Sequence, residues 1–297
     1  MKTITKYINE GILNEGFFNN VGADYVDIIL EWLITLEGYI STQSRNYFLN
    51  RCSVRDISPY FTLIDNKFTS NKSPKLSIKI HPKDIDTMPD TLYFGNGIIL
   101  SITFIDFKRS DFSKLEKIKD RLPDNIEFIN IAQSDLKNLE FLKGVSSVHK
   151  VHIQSSKIDS FKGIENVNIY NLTLNDISGP DKGDFLKEVP TITHMITISR
   201  CSDINDISGI SENNRSIDKL FIYKNSNLRK CNLSKFNKIY EIIGDNNLLV
   251  MTKYISHLPK KLSIITFDID KGYIYSDKVK KSKELLKSKF PEILINI

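Results

Sequence analysis

The sequence predicts an α/β solenoid, in which short units of similar sequence stack and build one parallel β-sheet. Apolar residues recur at matching positions 22 residues apart, most clearly within residues 126–164. The last apolar residue of each core motif, called the index residue below, recurs nine times at intervals of 21 to 27 residues. A unit of this length cannot bury its apolar edge alone, so it buries that edge by stacking on the next unit.

The two central units show how each unit is built. Ile129 and Ile131 of one unit correspond to Val151 and Ile153 of the next. Apolar residues two positions apart indicate a short β-strand with one buried face. The nine index residues are Ile80, Phe104, Ile131, Ile153, Leu174, Ile198, Ile222, Ile243 and Phe267.

The chain must turn three residues after each index residue, and short side chains recur at this position. Such a side chain can form hydrogen bonds with the backbone of the adjacent coil. The residues concerned are Ser134, Ser156, Cys201, Asn225 and Asn246. Apolar residues that follow at intervals of three, such as Ile204, Ile207 and Ile210, suit a 3₁₀ turn on the opposite side of the coil.

Three places depart from the pattern. Thr193 stands where the motif has an apolar core residue, and Lys238 and Glu241 interrupt the unit that ends at Ile243. Residues 179–183, Gly-Pro-Asp-Lys-Gly, are expected to form an inserted loop. We expect irregular curvature at these places.

The repeat covers residues 75–270, and the flanking segments are expected to close its ends. Residues 1–16 are predicted to be a tail, and residues 17–74 an N-terminal helical cap whose amphipathic helix begins after Asp24. Residues 271–297 are predicted to form a C-terminal capping helix, which begins after Ser276, and a tail. The polar surface of this helix carries Lys278, Lys280, Lys281, Lys283, Lys287 and Lys289.

Residues 126–164 match the pattern L-x-x-L-x-L-x-x-N-x-L, with Ser in place of Asn, so the chain resembles the leucine-rich repeat proteins. Ile204 to Ser208 is similar to the turns of internalin-type repeats. The resemblance covers residues 75–270 and implies a right-handed coil with a parallel sheet on its concave side. It also implies protein binding through that face, an inference by analogy because a fold does not determine a function.

The extreme N-terminus repeats an (Ile/Leu)-x-Glu-Gly unit that ends in Glu10-Gly11 and Glu15-Gly16. Residues 1–16 resemble the head-targeting peptides of internal proteins in tailed phages of the myovirus type. In that family a prohead protease cuts after such a glutamate, so the resemblance implies processing at Glu10 and Glu15. The competing interpretation, which the sequence favours, is an amphipathic tail.

Composition and motifs exclude several classes of function. A net charge of +5 predicts weak attraction to anionic surfaces, and nucleic acid is not expected as a partner. Three scattered cysteines favour a reducing compartment, so we expect a cytoplasmic protein, or one in a phage virion or its host's cytoplasm. No segment is apolar enough for a membrane span, and no secretory signal is visible.

No arrangement of residues suggests catalysis or metal binding. His149 and His152 lie three apart on a strand and point to opposite faces, so they cannot share an ion. The cysteines lack a matching His-Asn or His-Asp pair. We therefore expect no enzyme activity, no metal and no cofactor.

If Ile129 and Ile131 face inward, alternate residues face outward onto the concave sheet and form the predicted partner-binding surface. These residues are Phe128, Asn130, Lys150, His152, Gln154, Asn171, Met195, Lys219, Phe221 and Tyr223. Phe221 and Tyr223 are the candidate anchors, because exposed rings are costly unless a partner or neighbouring side chains cover them. The expected function is non-catalytic binding of a protein partner. The alternatives are a phage or bacterial structural or cargo protein targeted by its N-terminus, and nucleic-acid contact through the C-terminal lysines.

Overall fold

The computed structural model describes residues 52–54, 61–64, 67–70, 75–88, 99–211, 213–214, 217–236, 239–245, 249, 255–259, 262–269 and 276–296. The predicted helix after Asp24, the predicted cleavage sites Glu10 and Glu15, and Asn246 lie outside these residues. In the described part of the predicted N-terminal cap, the chain forms β-strands.

Sixteen strands and two α-helices occur in the described residues. The strands are β1 (Cys52–Val54), β2 (Phe61–Ile64), β3 (Lys67–Ser70), β4 (Lys75–Ile80), β5 (Ile99–Ile105), β6 (Asn125–Ala132), β7 (Asp135–Leu136), β8 (Ser147–Ile158), β9 (Asn168–Ser178), β10 (Ile192–Ser199), β11 (Lys219–Tyr223), β12 (Cys231–Asn232), β13 (Glu241–Asp245), β14 (Ile255–His257), β15 (Ile264–Asp268) and β16 (Leu294–Asn296). The helices are α1 (Phe112–Glu116) and α2 (Asp277–Lys289).

One twelve-stranded sheet dominates the structure, with the strand order β1-β4-β5-β6-β8-β9-β10-β11-β13-β15-β16 and β7 paired with β8. Strand β1 is antiparallel to β4, and all other pairs in this sheet are parallel. From β4 onward the neighbours follow in chain order, so each connection returns the chain to the starting end of the next strand. This arrangement is compatible with the predicted solenoid, in which successive coils stack.

The apolar core runs along one face of this sheet. Ile131 is paired in register with Ile153, and Ile153 with Leu174. All three side chains are completely buried, as the sequence pattern predicts. Burying an aliphatic side chain of this size contributes roughly 1.5–3 kcal/mol, so the row supplies much of the stability of the stack.

A row of hydrogen-bonding groups, called the spine below, lies three residues after the index residues. The Phe107 backbone N–H donates to Ser134 Oγ at 3.2 Å, and the Ser134 N–H donates to Ser156 Oγ at 3.1 Å. Farther along, the Cys201 N–H donates to Asn225 Oδ1 at 3.0 Å. The predicted role of this position is confirmed for Ser134, Ser156 and Asn225, because each of these side chains accepts a bond from the preceding coil, and the Cys201 Sγ–H donates to the Leu174 carbonyl oxygen of the preceding coil.

The turns on the opposite side of the coils include short 3₁₀ segments. They are Pro82–Thr87, Arg109–Asp111, Glu140–Leu142, Pro180–Glu188 and Ser208–Ser211. Ile204, Ile207 and Ile210 are all buried, in agreement with their three-residue spacing. The predicted inserted loop at 179–183 forms the beginning of the Pro180–Glu188 segment.

Two predicted core positions are wrong by one residue. Thr193 is exposed, and the buried residue is Ile192, because the pairing of β10 with β9 shifts register between Ile192 and Met195. In the later unit Gly244, and not Ile243, pairs with Ile222 and with Phe267. A β-bulge at the first place and an inward glycine at the second explain the apparent breaks in the repeat.

The C-terminal helix lies where the sequence predicts it, and the chain then adds a strand that the sequence analysis missed. Ser276 caps α2, since its side chain accepts a hydrogen bond from the Val279 N–H. Val279 and Leu286 are buried, and β16 follows the helix and pairs with β15 in parallel.

Candidate functional site

The candidate site is the face of the large sheet opposite the core, called the outer face below. In β8, β9 and β11 the burial pattern alternates, so every second side chain points away from the core. All ten residues predicted to bind a partner lie on this face and are partly exposed. They form rows across the strands, since Phe128 pairs with Lys150, Lys150 with Asn171, and Asn171 with Met195.

The part of the outer face on β6 to β10 is mostly polar, with Phe128 and Met195 as exceptions, and is called the amide half. Gln154 Nε2 donates to Asn130 Oδ1 at 3.2 Å, and Ser199 Oγ donates to Asn175 Oδ1 at 3.0 Å. These bonds join neighbouring coils side chain to side chain. The amide half therefore satisfies much of its hydrogen-bonding capacity within the molecule.

Two buried polar atoms in the amide half have no hydrogen-bond partner among the described residues, His152 Nε2 and Asn171 Oδ1. Burial lowers the pKa of His152, and the positive charge of Lys150 lowers it further. The Lys150 ammonium lies 5.8 Å from the ring centre of Phe128, a cation–π geometry. His152 is therefore held in its neutral form to lower pH than an ordinary histidine.

The part of the outer face on β11 to β16 has a different surface, which runs diagonally across the strands. We call it the apolar strip, and it consists of Tyr223, Phe221, Ile243, Ile264 and Leu294. The Phe221 and Tyr223 ring centres are 5.9 Å apart, and Phe221 pairs in register with Ile243. Ile264 pairs with Leu294 on the last strand, where Leu294 is 57% exposed.

Charged side chains border the apolar strip. Lys219 Nζ lies 3.1 Å from Glu241 Oε2 on one side, and Asp245 pairs in register with Asp268 on the other. Burial opposes ionisation of Glu241, but hydrogen bonds from Lys219 and Thr266 outweigh it and leave the Glu241 pKa below its ordinary value. Burial raises the pKa of Tyr223, and the charges of the three carboxylates raise it further. Tyr223 thus keeps its hydroxyl proton and can donate a hydrogen bond.

A further surface feature escaped the sequence analysis, a stack of rings at the edge of the outer face. The ring centres of His149 and Tyr170 are 4.8 Å apart, and those of Tyr170 and His194 are 4.6 Å apart. His194 Nδ1 lies 2.7 Å from Asp218 Oδ2 on the next coil. The sequence does contain a signal for this stack, because each of the three ring residues lies four positions before the index residue of its unit.

The described residues contain no group of three His, Cys, Asp or Glu side chains that could hold a metal ion. Cys201 and Cys231 are buried and unpaired, and burial raises the pKa of their thiols to about 11 and about 12. In the same part of the chain, no helix is both long and apolar enough to span a membrane. Comparison of the sequence with models of known protein families and with curated proteins gave no match.

Proposed function

We propose that the chain is a leucine-rich-repeat-like solenoid that binds a protein partner, without catalysis, through the apolar strip of its outer face. The observation that carries this proposal is that apolar side chains are neighbours on this face, since Phe221 pairs in register with Ile243 and Ile264 pairs with Leu294. The five apolar side chains of the strip extend across four neighbouring strands, between the Lys219–Glu241 ion pair and the Asp245–Asp268 pair. An apolar centre with a charged border is the usual anatomy of a protein–protein interface.

Phe221 and Tyr223 are the proposed anchors. Aromatic residues are enriched among the few residues that dominate binding energy, and Tyr combines a large apolar body with a hydroxyl donor. The two rings contact each other and are partly exposed, so a partner can cover both at once. In the alternative interpretation, other side chains of this protein cover the two rings, and Phe221 and Tyr223 belong to the core.

Alanine substitution separates these two roles. The partner is captured from native lysate, identified, and titrated against the wild type and the Phe221→Ala, Tyr223→Ala double variant. We expect at least about tenfold weaker binding and a Tm within about 3 °C of the wild type. Tyr170→Ala is the matched control, because Tyr170 is an exposed aromatic residue away from the strip.

Three outcomes contradict the proposal. A Tm loss much larger than this would mean that the rings belong to the core. Unchanged binding by the double variant, or equal weakening by Tyr170→Ala, would mean that the strip is not the binding surface.

The alternative assignment, a phage or bacterial structural or cargo protein, is supported by residues 1–16 alone. Intact-mass spectrometry of the protein from its native source tests it. Loss of the first ten or fifteen residues would identify cleavage after Glu10 or Glu15, whereas an intact N-terminus would rule out processing at these sites.

A further inference from the structure

The surface of α2 concentrates positive charge. Within Asp277–Lys289 there are six lysines and two carboxylates, Asp277 and Glu284. The buried residues Val279 and Leu286 attach the helix to the core, and the lysines are exposed except for Lys283, which is half-buried. The net charge of the whole chain, +5, does not reveal this local concentration of lysines.

The lysines of α2 differ from several of those on the coils. On the coils, Lys117 pairs with Asp86, Lys162 with Glu140, and Lys219 with Glu241, at 2.9, 2.7 and 3.1 Å. By contrast, no described residue forms an ion pair with Lys278, Lys280, Lys281, Lys283 or Lys287. Among the residues that the structure describes, these five positive charges on one short helix have no ion-pair partner.

Helical geometry places three of these lysines in a row. At about 100° per residue, Lys280, Lys283 and Lys287 share one flank of α2, beside the buried face that contains Val279 and Leu286. With a rise of about 1.5 Å per residue, the row is roughly 10 Å long. Each strand of duplex nucleic acid carries one phosphate per about 3.4 Å of axis, so a row of this length can meet about three phosphates.

Side-chain chemistry favours phosphate over a protein or membrane partner. Protein interfaces are enriched in Tyr, Trp and Arg and depleted of Lys, and α2 contains only lysine as its basic residue and no aromatic residue. The ridge opposite the buried face contains Asp277, Glu284 and Ser288, and Leu285 is the one large apolar residue exposed on α2. Such a helix offers no apolar face for insertion into a bilayer.

We propose that α2 binds the phosphate backbone of nucleic acid through Lys280, Lys283 and Lys287. Lysine acts on phosphate as a point charge and needs no fixed geometry. Contacts to phosphate carry no sequence information directly, so binding through these lysines should not depend on the nucleic-acid sequence. This proposal is independent of protein binding by the apolar strip, which lies on the sheet.

Fluorescence anisotropy with labelled DNA duplexes of two unrelated sequences tests the proposal. For three phosphate contacts we expect the logarithm of the binding constant to fall with the logarithm of salt concentration with a slope of about −2.7. Between 50 and 200 mM NaCl this slope weakens binding about 40-fold. The two duplexes should bind equally.

Charge reversal locates the contact. The variant Lys280→Glu, Lys283→Glu, Lys287→Glu should lose nearly all binding at 50 mM NaCl. The matched control Lys108→Glu, Lys143→Glu, Lys157→Glu changes the net charge equally at exposed sites on the coils, and it should retain most of the affinity. Circular dichroism melting checks that both variants are folded. A variant that does not fold is replaced by the one with Lys→Gln substitutions at the same positions.

Three results would overturn the proposal. They are no measurable binding of either duplex at 50 mM NaCl, equal losses in the two charge-reversal variants, and strong preference for one duplex sequence. Binding to anionic vesicles that exceeds binding to DNA would assign the helix to a membrane surface instead.

Discussion

The amide half and the strip-bearing half of the outer face are built on the same backbone but carry opposite surface chemistry. In the amide half, Gln154 and Asn130 bond to each other across neighbouring coils. In the other half, Phe221 and Ile243 present apolar surface at equivalent positions of the strands. The backbone of the coil therefore determines the positions of the outward side chains but not whether they are polar or apolar.

The spine differs between the same two halves. In the first half the acceptors are the hydroxyls of Ser134 and Ser156, which are short and also donate within their own coil. In the second half Asn225 reaches farther, since it accepts from the Cys201 N–H and donates to the Ile198 carbonyl oxygen at 3.0 Å. One amide thereby satisfies two buried backbone groups of the preceding coil.

The largest predicted effect follows from this difference in the spine. Asn225→Ala leaves the Cys201 N–H and the Ile198 carbonyl without this partner, and we expect a loss of about 3 kcal/mol in the free energy of unfolding. Ser156→Ala leaves the Ser134 N–H without this acceptor, but the Gln154 carbonyl still accepts from the Gln133 N–H, so we expect a loss of only about 1.5 kcal/mol. Urea denaturation measures both, with the exposed Asn227→Ala as control. Equal losses at Asn225 and Ser156 would show that the second bond of Asn225 contributes nothing.

A smaller effect concerns pH and belongs to the amide half. The pKa of His152 is lowered by burial and by Lys150, so the unfolded chain takes up its proton more readily than the folded chain. Stability is therefore lost as pH falls from about 6.5 towards the lowered pKa, and it does not change further below that value. His152→Gln should reduce the slope of unfolding free energy against pH in this window.

Urea denaturation between pH 5 and 7.5 measures this slope. Gln154→Ala is the control, because Gln154 lies on the same face and does not titrate. If the wild type and His152→Gln have the same slope, His152 is not the group responsible.

The smallest effect should be the same at the two ends of the amide half, because it concerns the backbone that all the coils share. Two residues after successive index residues the backbone is left-handed, with φ of +52° at Gln133 and +58° at Arg200. This conformation costs a non-glycine residue roughly 1 kcal/mol, part of which glycine loses again through unfolded-state entropy. We expect Gln133→Gly and Arg200→Gly to stabilise by about 0.5 kcal/mol each.

The neighbouring strand residues provide matched controls. Ala132→Gly and Ser199→Gly should each destabilise by roughly 0.5–1 kcal/mol, since glycine weakens a strand. Thermal melting compares the four variants. If glycine destabilises Gln133 as much as Ala132, the left-handed backbone carries no strain there.

Much of the stacking could be predicted from the sequence, because aliphatic periodicity alone determines which residues face the core. Ile131, Ile153 and Leu174 are paired as the pattern requires. The spine was also predictable, since short polar residues recur at one position. The outward position of the candidate binding residues followed from alternation once the inward residues were known.

The remaining features depend on local geometry that apolar periodicity does not encode. The β-bulge before Met195 places Ile192 in the core instead of Thr193. Gly244 occupies a core position, but a pattern of apolar residues does not identify a glycine. The diagonal course of the apolar strip appears only when Ile243 is known to face outward. Strand β16 is three residues long and follows a helix, so the repeat pattern does not predict it.

Hydroxyl-radical footprinting of the protein alone and with its captured partner tests the central claim most directly, because oxidation reports the exposure of individual side chains. We predict that the partner lowers the oxidation of Phe221, Tyr223 and Leu294 and leaves that of Tyr170 unchanged. Protection of Tyr170 with no change at Phe221 and Tyr223 would contradict the claim that the apolar strip is the binding surface.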